Sequence, residues 1–160
     1  MTDELTRAQK LRVAYSAWAR ADVDILTTMF ADDGEFTVVG NPVLNPHSGL
    51  RLGIPGLRGV LAQFHRDFRV REFVIEKVLV DGDDAAVHWH SSLEWVRSGR
   101  VIDSERCDLI QFRGGLIQKI LCFFDSATMA VMTGRAQSTG ADAPEGRGPV
   151  ITPEQAPPGA

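Results

Sequence analysis

Asp108 and Arg106 stand two residues apart in Val101 to Phe112, a stretch in which polar and apolar side chains alternate. Alternation puts every second residue of a strand on one face, so both charges share a face with Ile110 and Phe112. A carboxylate among apolar neighbours is tolerated only if it is paired, hydrogen-bonded or protonated. Burial raises its pKa and favours the neutral acid. Arg106, about 7 Å away along the strand, pulls the other way and favours the ionised form. Three roles stay open for Asp108: proton donor, base, and structural partner of the guanidinium.

Aromatic side chains that can shape a ligand site recur along the chain. Tyr15 and Trp18 lie with Leu11 on one face of a helical pattern, either as core or as the wall of a pocket in which the phenol donates a hydrogen bond. Phe30 ends the apolar stripe Ile25, Leu26, Met29. Trp89, Trp95, Phe112 and Phe124, with Ser91 and Cys122 between them in the pattern, are candidates for contact with a flat apolar ligand. His88 and His90 have a spacing that can serve a metal, but no third convergent ligand is visible; hydrogen-bonded histidines at a polar interface are the simpler reading, and no metal is expected. His47, in a Pro/Gly-rich loop, and His65, in a helical pattern, can each exchange a proton near neutral pH. Cys107 and Cys122 lack CxxC spacing and read as free thiols, and Asp125 reads as a helix cap.

The elements that position these residues follow from periodicity. Glu4 to Ala21 is an amphipathic helix, and Asp22 caps a short second helix that Ala31-Asp32-Asp33-Gly34 terminates. Glu35 to Val39 reads as a strand, and Gly40 to Gly53 as a long loop. A third helix begins near Pro55 and ends near Arg69, with Leu57, Val60, Leu61, Phe64 and Phe68 on its apolar face. Four strands follow: Val70 to Val80, Ala85 to Val96, Val101 to Phe112 and Leu116 to Phe124, separated by Asp81-Gly82, Ser98-Gly99 and Gly114-Gly115. A two-residue loop at Ser98-Gly99 pairs Trp89 with Asp108, Ser91 with Arg106 and His90 with Cys107. One face then carries Val87, Trp89, Ser91, Leu93 and Trp95 with Arg106, Asp108, Ile110 and Phe112; the other carries His88, His90, Ser92, Glu94, Glu105, Cys107 and Gln111. Helices early and strands late, in the order α-α-β-α-β-β-β-β, argue for an α+β domain with helices on one face of an antiparallel sheet.

The segment Ala21-Asp22-Val23-Asp24-Ile25-Leu26 through Phe30-Ala31-Asp32-Asp33, followed by a helix and four long strands ending in Phe123-Phe124-Asp125, resembles the nuclear transport factor 2-like superfamily. The likeness spans about residues 5 to 133 and is nearest to the SnoaL-like polyketide cyclase and ketosteroid isomerase branch. The resemblance implies a cone-shaped curved antiparallel sheet wrapped around three helices, an apolar pocket inside, and a homodimer through the outer sheet face. It also selects Ile120, Cys122 and Phe124 as inward and aligns Asp108 with an oxyanion-stabilising acid. The isomerase's general base would fall at Val38 and its tyrosine at Ala14, one position from Tyr15. The triad of the limonene-epoxide hydrolase branch would need acids or an arginine where Trp89, Ser91 and Cys122 stand.

Composition sets the outer bounds. One chain of 160 residues, 44% apolar and 24% charged, is one ordinary globular domain. The Pro- and Gly-rich run 134–160 reads as a disordered tail after a folded unit of residues 1–133. A net charge of -4 gives no footprint for nucleic acid. No signal peptide or membrane span can be drawn, so a cytoplasmic protein is expected. The expected function is acid-base chemistry on a mid-sized apolar small molecule: isomerisation, cyclisation, dehydration or hydrolysis, with Asp108 and Arg106 at the centre and no cofactor. The alternative is a non-catalytic binding or dimerisation module using the same pocket.

Overall fold

The Thr6 hydroxyl accepts from the Gln9 N–H while the Gln9 side chain accepts from the Thr6 N–H, a reciprocal cap that starts helix α1 (Arg7–Ala19). The computed structural model describes residues 5–137, so most of the expected tail lies outside the described residues. α1 buries Leu11, Ala14, Tyr15 and Ala17. Asp22 caps α2 (Val23–Thr27) through the Ile25 N–H. This second helix is shorter than its apolar stripe suggests, because Phe30 already belongs to strand β1 (Phe30–Val38).

Ala31-Asp32-Asp33-Gly34 therefore does not end a helix. Burial of Phe30 and Ala31 outweighs the local turn signal, and Asp32 and Asp33 ride exposed on a bulge between two paired stretches of β1. Arg113 Nη2 reaches Asp33 Oδ1 at 2.5 Å and the Gln118 amide donates to the Asp33 carbonyl at 3.2 Å, fixing that bulge. Strand β2 (Gly49–Leu52), inside the expected loop, pairs antiparallel with β1. It is four residues long and half-exposed at the sheet edge, too short for alternation to register.

Helix α3 (Gly53–Asp67) turns Leu57, Val60, Leu61 and Phe64 inward; Phe68, expected on the same helical face, instead opens strand β3 (Phe68–Asp81). Strands β4 (Asp84–Trp95), β5 (Val101–Arg113) and β6 (Leu116–Phe124) and helix α4 (Ser126–Met132) complete the chain. Gly114 and Gly115 both take positive φ (57° and 79°) in the β5–β6 turn, a geometry that favours glycine. The six strands form one curved, open sheet in the order β2-β1-β6-β5-β4-β3. Every neighbouring pair is antiparallel except β1 and β6, which run parallel. Residues of α1, α2 and α3 pack against one face of this sheet in a continuous apolar core. Beyond α4, the Arg135 and Ala136 N–H groups both donate to the Ala130 carbonyl.

The β4–β5 register corrects the sequence reading. Trp89 lies opposite Arg106, Val87 opposite Asp108, Ser91 opposite Ser104 and His88 opposite Cys107. The connection is Val96 to Arg100, closed by the Trp95 N–H on the Arg100 carbonyl, and not a two-residue loop. The slip is two residues. Because side chains repeat every two residues, an even slip changes partners and preserves faces, and the burial of β5 alternates along its full length as expected.

Candidate functional site

The inward face of β4–β5 meets α1 where Tyr15, Trp89 and Asp108 converge. Asp108 is 3% exposed, and its Oδ2 accepts two hydrogen bonds: a short one from the Tyr15 hydroxyl and one of 2.9 Å from Trp89 Nε1. Its Oδ1 is buried and accepts none. Burial raises the Asp108 pKa above the usual carboxylate range, opposed by the neighbouring hydrogens of Tyr15, Cys122 and Trp89 and by the charge of Arg106. The same burial, and then the Asp108 carboxyl, push the Tyr15 phenol and the Cys122 thiol up. Tyr15, one position from the tyrosine of the isomerase pattern, thus still delivers its hydroxyl to the acid.

Arg106 is 8% exposed and forms no ion pair with Asp108. Its Nε donates to Ser104 Oγ at 3.1 Å and its Nη1 approaches Cys122 Sγ at 3.9 Å. The guanidinium carbon lies 5.1 Å from the Trp89 ring centre, 5.0 Å from Phe124 and 5.8 Å from Phe64. Of the three roles left open for Asp108, that of ion-pair partner to Arg106 is not the one adopted here. The Trp89 indole serves both charges, offering its π face to the guanidinium and its N–H to the carboxyl.

These groups line a cavity of about 80 Å³. Of the residues singled out in the sequence, Tyr15, Trp18, Phe30, Trp89, Arg106, Asp108, Cys122 and Phe124 line it. Three do not. Ser91 is wholly buried with an unpartnered hydroxyl, Phe112 is core packing, and Trp95 faces a separate polar cleft of about 270 Å³ with Asp67, Arg97 and Arg135. Trp95, the last residue of β4, packs instead on the cluster of Phe64, Phe68, Leu93, Ile102 and Met129. Val38, where the isomerase pattern puts a base, lines the cavity as an aliphatic side chain.

The loop between β1 and β2 adds what periodicity could not assign. Asn45 and His47 are buried and reach the cavity wall. The His47 ring packs on Phe64 and Phe68, its Nε2 lies 3.2 Å from Asp67 Oδ2, and its Nδ1 is buried without a partner. Desolvation lowers the His47 pKa; Asp67 raises it in part, and Arg106 and Arg51 lower it further. Neutral His47 with its proton on Nε2, donated to Asp67, presents a bare Nδ1 lone pair. The signal was present in the sequence as a histidine within a Pro/Gly loop, but its pairing with the last residue of α3 is a long-range contact.

On the opposite face, His88 Nε2 lies 2.7 Å from Glu105 Oε2 and His90 Nε2 lies 4.0 Å from Asp103 Oδ1. His90 is opposite Glu105 and not Cys107, so the expected His90–Cys107 pairing is corrected by the same two-residue slip. Among the described residues no three His, Cys, Asp or Glu side chains are grouped to hold a metal ion, and no helix is long and apolar enough to cross a membrane.

Comparison with known proteins gives a consistent setting. Residues 11–120 match the model of the SnoaL-like domain. A presumed isomerase from Rhodopseudomonas palustris superposes with a TM-score of 0.71 at 22% identity, covering 83% of this chain and 98% of that one. An NTF2-like protein from Burkholderia thailandensis gives 0.72 at 18% identity, over 81% and 98%. A protein of ketosteroid isomerase-like fold from Catenulispora acidiphila, solved with trimethylamine, gives 0.68 at 17%, over 81% and 95%. No curated protein matches the chain.

Proposed function

The chain belongs to the SnoaL-like domain family, and from that premise we propose that it is a small-molecule enzyme of isomerase or cyclase type that moves protons between Asp108 and His47. One observation carries the reading: a buried carboxyl has one oxygen occupied by two donors and the other free, in a cavity that also holds an unpartnered histidine nitrogen. With Oδ2 already accepting from Tyr15 and Trp89, the proton of neutral Asp108 sits on Oδ1. That O–H donates to a substrate carbonyl oxygen as negative charge develops there, while His47 Nδ1 takes a proton from the adjacent carbon. Return of the proton to a different carbon is isomerisation; attack of the enolate on an internal electrophile is cyclisation. The isomerase description of the Rhodopseudomonas palustris protein supports this class.

Size narrows the substrate. A void of roughly 150 Å³ holds benzene, so a cavity of about 80 Å³ admits a mid-sized ligand only if a wall gives. The small volume also favours the second reading, a binding module without turnover. A thermal-shift panel of polyketides, steroids, terpenoids and small epoxides finds ligands, since a ligand at 100 times its dissociation constant stabilises by about 2.7 kcal/mol. Turnover of a hit by the wild type, lost in Asp108→Ala and in His47→Gln with ligand still bound, supports the enzyme. A hit with no turnover, or turnover unaffected by both changes, overturns it.

The outer sheet face is proposed as a homodimer surface. Val74, Leu109 and Phe123 are exposed there beside His88 and His90. A sedimentation coefficient independent of concentration at the monomer value would exclude it.

A further inference from the structure

Arg106 is the one permanent cation among the described residues that line the cavity, and no carboxylate pairs with it. A buried charge is expensive unless an opposite charge or a full set of hydrogen bonds meets it. Here it meets one serine hydroxyl, one thiol at 3.9 Å and three aromatic faces. Asp108, the nearest carboxyl along the strand, has its Oδ2 turned to Tyr15 and Trp89. The arginines of the outer sheet face behave differently: Arg69 and Arg71 both converge on Glu94. A carboxylate partner was thus available to this fold, and the cavity arginine does without one.

We propose that Arg106 is the seat of a carboxylate on the ligand, so that the molecule bound here is a monocarboxylic acid with a compact apolar body. The inference rests on the reading of the cavity as a small-molecule site. A guanidinium fork matches one carboxylate in a bidentate pair, and a single cation in an otherwise apolar chamber matches a single negative charge. Phosphate, with its second charge, would face His47 and Asp108 with no further cation. The body of the acid lies against Trp89, Phe124 and Phe64, which already face the guanidinium, and its far end points toward Asp108 Oδ1 and His47 Nδ1.

The test follows the Trp89 indole N–H by proton–nitrogen NMR while 3-methylbutanoate and benzoate are added, each against its own amide, with sodium chloride holding ionic strength constant. The expected result is a saturable shift with each acid at a dissociation constant at least tenfold below that of the amide. Arg106→Met abolishes the preference and Arg106→Lys keeps part of it. Amides that bind as tightly as the acids overturn the proposal, as does a preference that survives Arg106→Met. If Arg106→Met does not fold, the acid-amide comparison on the wild type still decides. Loss of the preference alongside turnover that depends on Asp108 removes the carboxylate seat and leaves the acid-base reading. A clear preference with turnover indifferent to Asp108→Ala does the reverse.

Discussion

Strands β4 and β5 present two faces built from the same alternation, and the charges on them live by different rules. Outside, Glu94 is held by Arg69 and Arg71, and His88 by Glu105, in pairs whose cationic or imidazole members are about half exposed. The His88–Glu105 pair, half exposed on both sides, is screened and stabilises by roughly 0 to 1 kcal/mol, while the Glu94 side chain is nearly buried beneath its two exposed arginines. Inside, Arg106 and Asp108 are almost fully buried and make no ion pair with each other, although they share a face two residues apart. Their partners are a phenol, an indole, a hydroxyl and aromatic rings. The outer face meets its charges with opposite ones, the buried Glu94 included; the inner face holds a guanidinium with no carboxylate partner, where a charge costs several kcal/mol, which is the physical reason to look for chemistry there.

The largest expected effect is on turnover of a substrate found by the panel. Asp108→Ala removes the donor at the Oδ1 position and should lower the rate by roughly 100- to 1000-fold, the loss typical of one oxyanion donor, whereas Asp108→Asn, whose amide N–H can still donate there, should lose less. Steady-state kinetics with ligand affinity measured separately would check it. The Asp108→Asn variant has a pH signature in stability. Between the ordinary carboxylate value near 3.8 and the raised value in the native protein, the folded state binds more protons than the unfolded chain, so wild-type stability falls as pH rises through that window. The amide of the Asp108→Asn variant does not titrate and escapes that loss, so the variant should gain on the wild type across the window. A urea-unfolding difference that stays constant with pH would break the contrast between the faces.

Next comes Trp89→Phe, which deletes the 2.9 Å hydrogen bond to Asp108 and part of the stacking surface for Arg106. It should destabilise by about 2 kcal/mol, from a lost hydrogen bond to a buried acid and a small void, read from the denaturation midpoint. On the outer face the effects shrink. Glu94→Gln should cost about 1 kcal/mol, because the buried carboxylate loses its charge while both arginines remain more than half exposed to water. Glu105→Gln should fall within about 0.5 kcal/mol and leave turnover unchanged. A larger loss at Glu105 than at Trp89, by thermal melting, would reverse the ranking.

The inner face was legible in the sequence because parity is robust: the β4–β5 register slipped by two residues, yet Trp89, Arg106 and Asp108 stayed on the helix-facing side. Which residues reach the cavity was less legible. Trp95 and Phe112 follow the same alternation as Trp89, and only the covering helices decide that one faces another cleft and the other is plain core. The segment from Phe30 to Leu52 was hardest. Asp32-Asp33-Gly34 carries the chemistry of a helix stop but forms a strand bulge held by Arg113 and Gln118, and four-residue β2 carries no period. His47 could not be assigned from spacing, since Asp67 lies twenty residues on and meets it only in the folded chain.

The proposed chemistry rests on a protonated Asp108, whose titration can be read directly. Carbon NMR of the aspartate carboxyls through a pH titration, with the Asp108 signal assigned by its loss in Asp108→Asn, reports on the group itself. The expected midpoint for Asp108 lies clearly above 3.8, the ordinary value. A midpoint at or below it would mean a permanently ionised carboxylate held by Arg106 and the surrounding donors, and would remove the proton donor from the cavity.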